Sequence, residues 1–114
     1  MSHGGLALGA RGEGLAARWY AGNGYEVVGR NWRCDIGEID LIARRGRTIV
    51  IAEVKTRRSD RFGVPAEAVG YAKQRKLRRL AAAWLVASAT RYDEVRFDVV
   101  SIIGNDVEVI EAAF

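Results

Sequence analysis

The stretch IVIAEVKTRR, residues 49–58, sets an acid and a base into a run that otherwise reads as a buried strand. Glu53 and Lys55 are two residues apart, so on a strand they project to the same side. An acid-bearing run precedes them, GEIDLIARR at 37–45, with Glu38 and Asp40. Taking Arg45 and Gly46 as a two-residue hairpin loop sets Arg44 against Arg47. In that register Glu38 lies opposite Glu53, Asp40 lies opposite Ile51 and diagonal to Glu53, and all share a face with Lys55. Three carboxylates and one ammonium then converge. Like charges crowded at half-buried positions call for a proton or a cation. Carboxylate oxygens suit Mg²⁺ or Mn²⁺, and the single histidine, His3, lies at the far N-terminal end, so an imidazole zinc site is not expected. Lys55 beside such an ion could orient or deprotonate a water, or stabilise charge on a phosphate. The plain alternative is a structural Glu53–Lys55 ion pair. A loop one residue longer would also scatter the group across both faces.

These residues need a sheet to hold them, and the rest of the chain supplies one. RGEGLAARWYAGNGY places Leu15, Trp19 and the alanines on helical spacing and stops at Gly22 or Gly24. Three β-branched runs follow, YEVVGRN, IGEIDLIARR and RTIVIAEVKTR. RSDRFGVP is a loop, broken by Gly63 and Pro65. A long helix is predicted over 66–88, then strands VRFDVVSII and DVEVIEAAF joined at a GND turn. The order is αβββαββ. A helix between the third and fourth strands can act as a crossover, which makes those two parallel in a mixed sheet. Residues 1–10 read as a flexible tail and 11–114 as one domain.

Composition excludes several classes. At 49% hydrophobic and 28% charged, the 114 residues are ordinary for a globular domain, with no apolar run long enough for a membrane span and no signal-peptide pattern at the start. One cysteine, Cys34, fits a reducing cytoplasm. The net charge of +4 is uneven: from Arg91 onward two Arg face six acids, which leaves residues 1–90 with a surplus of +8. That surplus suits an anionic partner such as nucleic acid, although an arginine bias, 15 of the 18 bases, can also reflect genome composition. Arg30, Arg33, Arg57, Arg58 and Arg61 are the expected phosphate contacts, the last three from their loop position. Arg75, Lys76, Arg78 and Arg79 read as the solvated face of the long helix. Trp32 is placed in the core, with base stacking as its alternative. Asp98, in FDVV, reads as a structural partner.

An acid on the first helix (Glu13), GEIDLIA with Asp40, and IAEVKTR with Glu53 and Lys55 together resemble the PD-(D/E)XK nuclease superfamily, whose members cut DNA with a divalent metal. More closely, RGEGLAARWYAGNGYEVVGRNWRCDIGEIDLIA with EVKTR, FGVPAEAV, RFDVV and the terminal AF is similar to the bacterial YraN-like family, described as distantly similar to archaeal Holliday-junction resolvases. The similarity runs from about Gly12 to Phe114. It departs from the superfamily motif at Ile39, where the name-giving proline would stand.

The resemblance implies a restriction-endonuclease-like αβββαββ core and metal-dependent hydrolysis of phosphodiester bonds in structured or branched DNA. Asp40, Glu53 and Glu13 would be the metal ligands and Lys55 the assisting base. Junction resolution would also need a two-fold homodimer. Glu13 sits among Gly12, Gly14, Ala16 and Ala17, small enough to let the helix approach the sheet; its alternative is an exposed acid favourable to the helix dipole. Lys73 falls on the stripe Val69, Lys73, Leu77, Leu80, Trp84 and so faces the sheet. Related nucleases place a Lys or Gln near the site here, with Gln74 adjacent; the alternative is a snorkelling lysine. A non-catalytic nucleic-acid-binding or protein-interaction module is the competing functional expectation.

Overall fold

Four consecutive apolar residues, Ile49–Ala52, are covered only if both faces of their strand are packed. In the computed structural model, which describes residues 3–57 and 69–114, they lie in β3 (Thr48–Arg57), the middle strand of a five-stranded sheet. The other elements are α1 (His3–Gly22), β1 (Glu26–Arg33), β2 (Glu38–Arg45), α2 (Tyr71–Ser88), β4 (Glu94–Ile103) and β5 (Asp106–Ile110). Strand order follows the chain, β1-β2-β3-β4-β5, with every neighbour antiparallel except the parallel β3–β4 pair. The expected αβββαββ order and mixed sheet are therefore present, with α2 in the crossover. No helix among the described residues is long and apolar enough to cross a membrane.

Each helix covers one face of the sheet. Ala16 and Tyr20, one turn apart on α1, pack with Leu41, Ala43, Val50, Ala52, Val100 and Ile102. Leu77, Leu80, Ala81 and Trp84 of α2 pack with Ile42, Ile49, Ile51, Phe97 and Val99 on the other face. Trp32 joins the α2-side core, as its core reading had it. α1 ends at Gly22, where Asn23 and Tyr25 N–H both donate to Tyr20 O at 3.0 Å and Gly24 takes φ +87.

Several boundaries differ from the sequence reading, among them the last strand, expected over 106–114, which ends at Ile110. α1 begins at His3, so residues 3–10, read as a tail, continue the helix. α2 begins at Tyr71, not at 66, because Gly70 is extended (φ −72, ψ 172) and breaks the helix there; residues 66–68 lie outside the described residues. The β2–β3 loop is Gly46–Arg47, so Arg45 pairs with Thr48 instead of Arg44 with Arg47. The reason is conformational: Gly46 takes φ +61 and Arg47 does not take a positive φ, the type II′ pattern that places glycine first in the loop. Every pairing moves by two residues, an even number, so no side chain changes face.

The C-terminal end folds back on the sheet. Phe114 stacks on Phe97 with ring centroids 5.3 Å apart, and Ala113 N–H donates to Phe97 O at 2.8 Å. Beside them Asp98, wholly buried, accepts Tyr20 O–H at 2.6 Å, Ala112 N–H at 3.1 Å, and two guanidinium bonds from Arg96 at 2.9 Å. This hub ties α1, β4 and the C-terminal residues together, which gives Asp98 a structural role. It holds its partners' protons firmly: the Tyr20 hydroxyl titrates well above its ordinary range, through burial first and the Asp98 bond second.

Candidate active site

β3 leaves its apolar run at Glu53, and the sheet opens at that point. On one side its ladder with β4 continues to Arg57↔Ile103. On the other its pairing with β2 stops at Leu41↔Ala52. Continuing that register puts Asp40 straight across from Glu53, not across from Ile51, and moves Glu38 away from Glu53 to a place opposite Lys55. Glu38 instead accepts from Arg33 Nε at 3.2 Å, so the expected third carboxylate of the β2–β3 cluster is absent.

Asp40 departs from ideal strand geometry. Leu41 packs on the α1 side and Ile42 on the α2 side, yet Ile39 also enters the α2-side core, so alternation along β2 is interrupted at Asp40. Across from it in the β1–β2 register stands Asn31 at φ 51, a left-handed conformation that asparagine tolerates. The Asp40 carboxylate turns toward β3 and its Oδ2 accepts the Val54 N–H at 2.9 Å. A side chain thus takes the place of the backbone ladder where that ladder ends.

Glu53 is only 5% exposed, and two ammonium groups reach it. Lys55 Nζ stands 3.4 Å and Lys73 Nζ 3.1 Å from Glu53 Oε2. Lys73 arrives from the first turn of α2, the position its place on the apolar stripe predicts. Gln74 does not join the group; its amide donates to Val69 O at 3.0 Å and fastens the chain entering the helix. Glu13 approaches from α1, whose Gly12 lies so close to β3 that a Cβ there would overlap Thr56 Oγ1.

The electrostatics follow from this placement. Burial pushes the Asp40 carboxyl up from 3.8 to about 7, the Glu53 charge adds to it, the Val54 N–H opposes it, and Glu13 adds a further push. Both lysines sit on Glu53, which leaves Asp40 as the carboxyl that keeps a proton near neutral pH. Asp40, Glu53, Lys55 and Lys73 are therefore brought together, with Glu13 within electrostatic range.

Two of these side chains, Asp40 and Glu53, are of a type that could hold a hard divalent cation. Mg²⁺ is commonly held by one or two carboxylates, with waters and substrate phosphate filling the rest of its shell. Asp40 and Glu53 supply two facing carboxyls. No group of three or more ligating His, Cys, Asp or Glu side chains occurs among the described residues, so Glu13 stands outside the immediate donor set.

The expected phosphate contacts are scattered. Arg30 and Arg33 lie exposed on the edge strand β1, Arg33 paired with Glu38. Arg57 ends β3 with its Nε buried and without a hydrogen-bond partner among the described residues. Arg58 and Arg61 lie outside the described residues. Sequence reasoning missed Asp40's bond to Val54 N–H; the one local signal was Asn31 inside a strand-like run, a residue type suited to a left-handed kink.

A mixed five-stranded sheet with one helix on each face, opening onto paired carboxyls and lysines, defines an α/β protein with a polar site at the strand ends. The model of the uncharacterised protein family UPF0102 matches residues 12–102, and the chain belongs to that family, the YraN-like proteins. A UPF0102 protein of Nocardia farcinica is 54% identical over 97 residues, covering 85% of this chain and 76% of the relative. One from Rhodococcus opacus is 53% identical over 103 residues, covering 90% and 86%. One from Beutenbergia cavernae is 55% identical over 97 residues, covering 85% and 82%.

Proposed function

We propose that the protein is a divalent-metal-dependent endonuclease with a restriction-endonuclease-like core, hydrolysing phosphodiester bonds in structured or branched DNA. The observation that carries this reading is the facing pair Asp40 and Glu53, set at the open end of the β2–β3 ladder with Lys55 and Lys73 on Glu53. Asp40 and Glu53 would hold Mg²⁺ or Mn²⁺, with Glu13 adding negative charge from α1. The ion, when bound, supplies Lewis-acid stabilisation of the phosphate and an acidified water. Lys55, partly buried and anchored by Glu53, would hold charge that develops on a phosphate or orient the attacking water. Asp40, pushed up to about 7 by burial in the metal-free site, would give up its proton as the ion binds.

A second reading has its own support. Glu53 is already neutralised by two ammonium groups, as in a structural ion-pair cluster, and a nuclease-like module that only binds nucleic acid or a protein partner would need no more. Cleavage assays on single-stranded, duplex, flap and four-way DNA with Mg²⁺ or Mn²⁺, run beside Glu53→Gln, separate the two. We expect metal-dependent cutting by the wild type and none by Glu53→Gln, which keeps side-chain volume but removes a ligand charge. Wild-type protein that cuts none of the substrates with either metal leaves the binding module as the better account. Resolution of four-way substrates would further require a dimer in sedimentation.

A further inference from the structure

The first half of α2 borders a hollow of about 560 Å³, lined by Asp35, Ile36, Ala72, Arg75, Lys76 and Arg79. One wall is a tight turn closed by Cys34 N–H to Gly37 O at 2.9 Å and Gly37 N–H to Cys34 O at 3.2 Å. The Lys76 stem lies against that turn, and a Cβ at Gly37 would stand 2.7 Å from Lys76 Cε. Three cations and one carboxylate, Asp35, thus line one concavity, and none of the three cations forms an ion pair with another described residue. Bases spaced three and four apart on a solvated helix repel unless acids interleave them, and α2 contains no acid at all. All four bases of the helix cluster are exposed, as the solvated-face reading had it, but they divide by direction. Arg78 turns elsewhere, over Phe97 at 4.8 Å and Phe114 at 5.6 Å, while Arg75, Lys76 and Arg79 keep to the hollow.

An aromatic surface adjoins these cations. Tyr71 is 73% exposed, with the Arg75 guanidinium 5.0 Å from its ring centroid. Lys73, which reaches Glu53, precedes Lys76 by one turn, about 5 Å along the helix axis.

We propose that this groove is the track of a single nucleic-acid strand, its phosphates held by Arg75, Lys76 and Arg79 and one base stacked on Tyr71, leading toward Asp40 and Glu53. The destination of the strand rests on the nuclease reading; its binding does not. An exposed aromatic beside a cationic groove is of more use to unpaired bases, whose faces are free, than to bases stacked inside a helix.

Fluorescence anisotropy of a labelled single-stranded oligonucleotide and of its duplex, in EDTA over a salt series, tests the track. Wild type should bind the single strand more tightly. Arg75→Ala with Arg79→Ala should weaken it at least tenfold and reduce the slope of log K against log salt by about 1.4, two phosphate contacts at about 0.7 each. Tyr71→Ala should weaken it about tenfold with the slope unchanged. Arg44→Ala with Arg47→Ala removes the same charge at the opposite end of the β2–β3 hairpin and should leave binding intact. Alanine favours helix, so the α2 variants keep the fold, with circular dichroism as the check. Groove variants that bind like wild type, a control pair that loses as much, or a wild type that binds no single strand would each overturn the track. Cleavage read in parallel separates the two ideas. Groove-dependent binding without cutting removes the nuclease and keeps the track, whereas cutting insensitive to Arg75→Ala with Arg79→Ala does the reverse.

Discussion

Asp40→Asn isolates the cluster's electrostatics from its shape. The amide has the volume of the carboxyl, and its oxygen can still accept the Val54 N–H that Asp40 Oδ2 takes at 2.9 Å. What disappears is the ionisation. Below pH 3.8 Asp40 is protonated in both the folded and the unfolded chain and contributes no pH dependence. Between 3.8 and about 7 the unfolded chain ionises first while the folded chain keeps its proton, so stability falls as pH rises. Above 7 both forms are ionised and the deficit is complete, about 4 kcal/mol as a ceiling at 1.36 kcal/mol per pH unit. Asp40→Asn should therefore match wild type near pH 4 and exceed it by about 2–4 kcal/mol at pH 8.5, a midpoint gain of about 4 °C per kcal/mol. Urea denaturation of both proteins in EDTA at a series of pH values measures it. Mg²⁺ should then stabilise wild type at pH 8.5 and not the variant, since ion and proton compete for one carboxyl. Equal stability of the two proteins at every pH would refute the crowding argument, and so would a variant that is weaker at pH 8.5.

The packing makes two further predictions. Gly12→Ala forces a Cβ onto Thr56 Oγ1; the expected loss is about 1–3 kcal/mol from overpacking, against roughly 1 kcal/mol of helix propensity that alanine gains. Adding Thr56→Ala should recover most of it, and a double-mutant cycle in urea that shows no coupling would mean α1 does not sit against β3 as described. Asp98→Ala strips Tyr20, Arg96 and Ala112 of a fully buried acceptor and should lower stability by about 3–5 kcal/mol, while Tyr20→Phe removes one donor and should lower it by about 1–2 kcal/mol. Chemical denaturation ranks the two, and an equal or reversed ranking would show that the hub is not centred on Asp98.

How far the sequence reveals such a site depends on the range of the interactions that build it. Strands and their antiparallel or parallel sense are local consequences of β-branched runs, tight turns and one long helix, so the element order could be read directly. Reading the loop as Arg45–Gly46 displaces the register by two, because a glycine can stand first or second in a two-residue loop and here its positive φ comes first. The error left Asp40 and Glu53 on speaking terms, since an even slip preserves faces, but it gave Glu38 a place it does not have. Lys73 was legible because helical spacing alone aims it at the sheet, and its long stem does the rest.

What could not be read depends on contacts distant in the chain. The four bases on α2 are all exposed, and which way each one lies is decided by what stands beside the helix: the Cys34–Gly37 turn on one flank and the returning Phe114 on the other. Neither is encoded in the spacing of Arg75, Lys76, Arg78 and Arg79. Asp40's proton has the same origin. Asn31 bends β1, Ile39 turns into the α2-side core, the ladder ends at Leu41↔Ala52, and the carboxyl drops into the gap beside Glu53. Lys55 and Lys73 both attach to Glu53, while Asp40, pushed up by burial first and by the Glu53 charge second, has only a backbone N–H to offset it. A strand that carries Glu53 and Lys55 as a self-sufficient ion pair would have no reason to hold Asp40 there, and that uncompensated carboxyl is what an arriving cation would relieve.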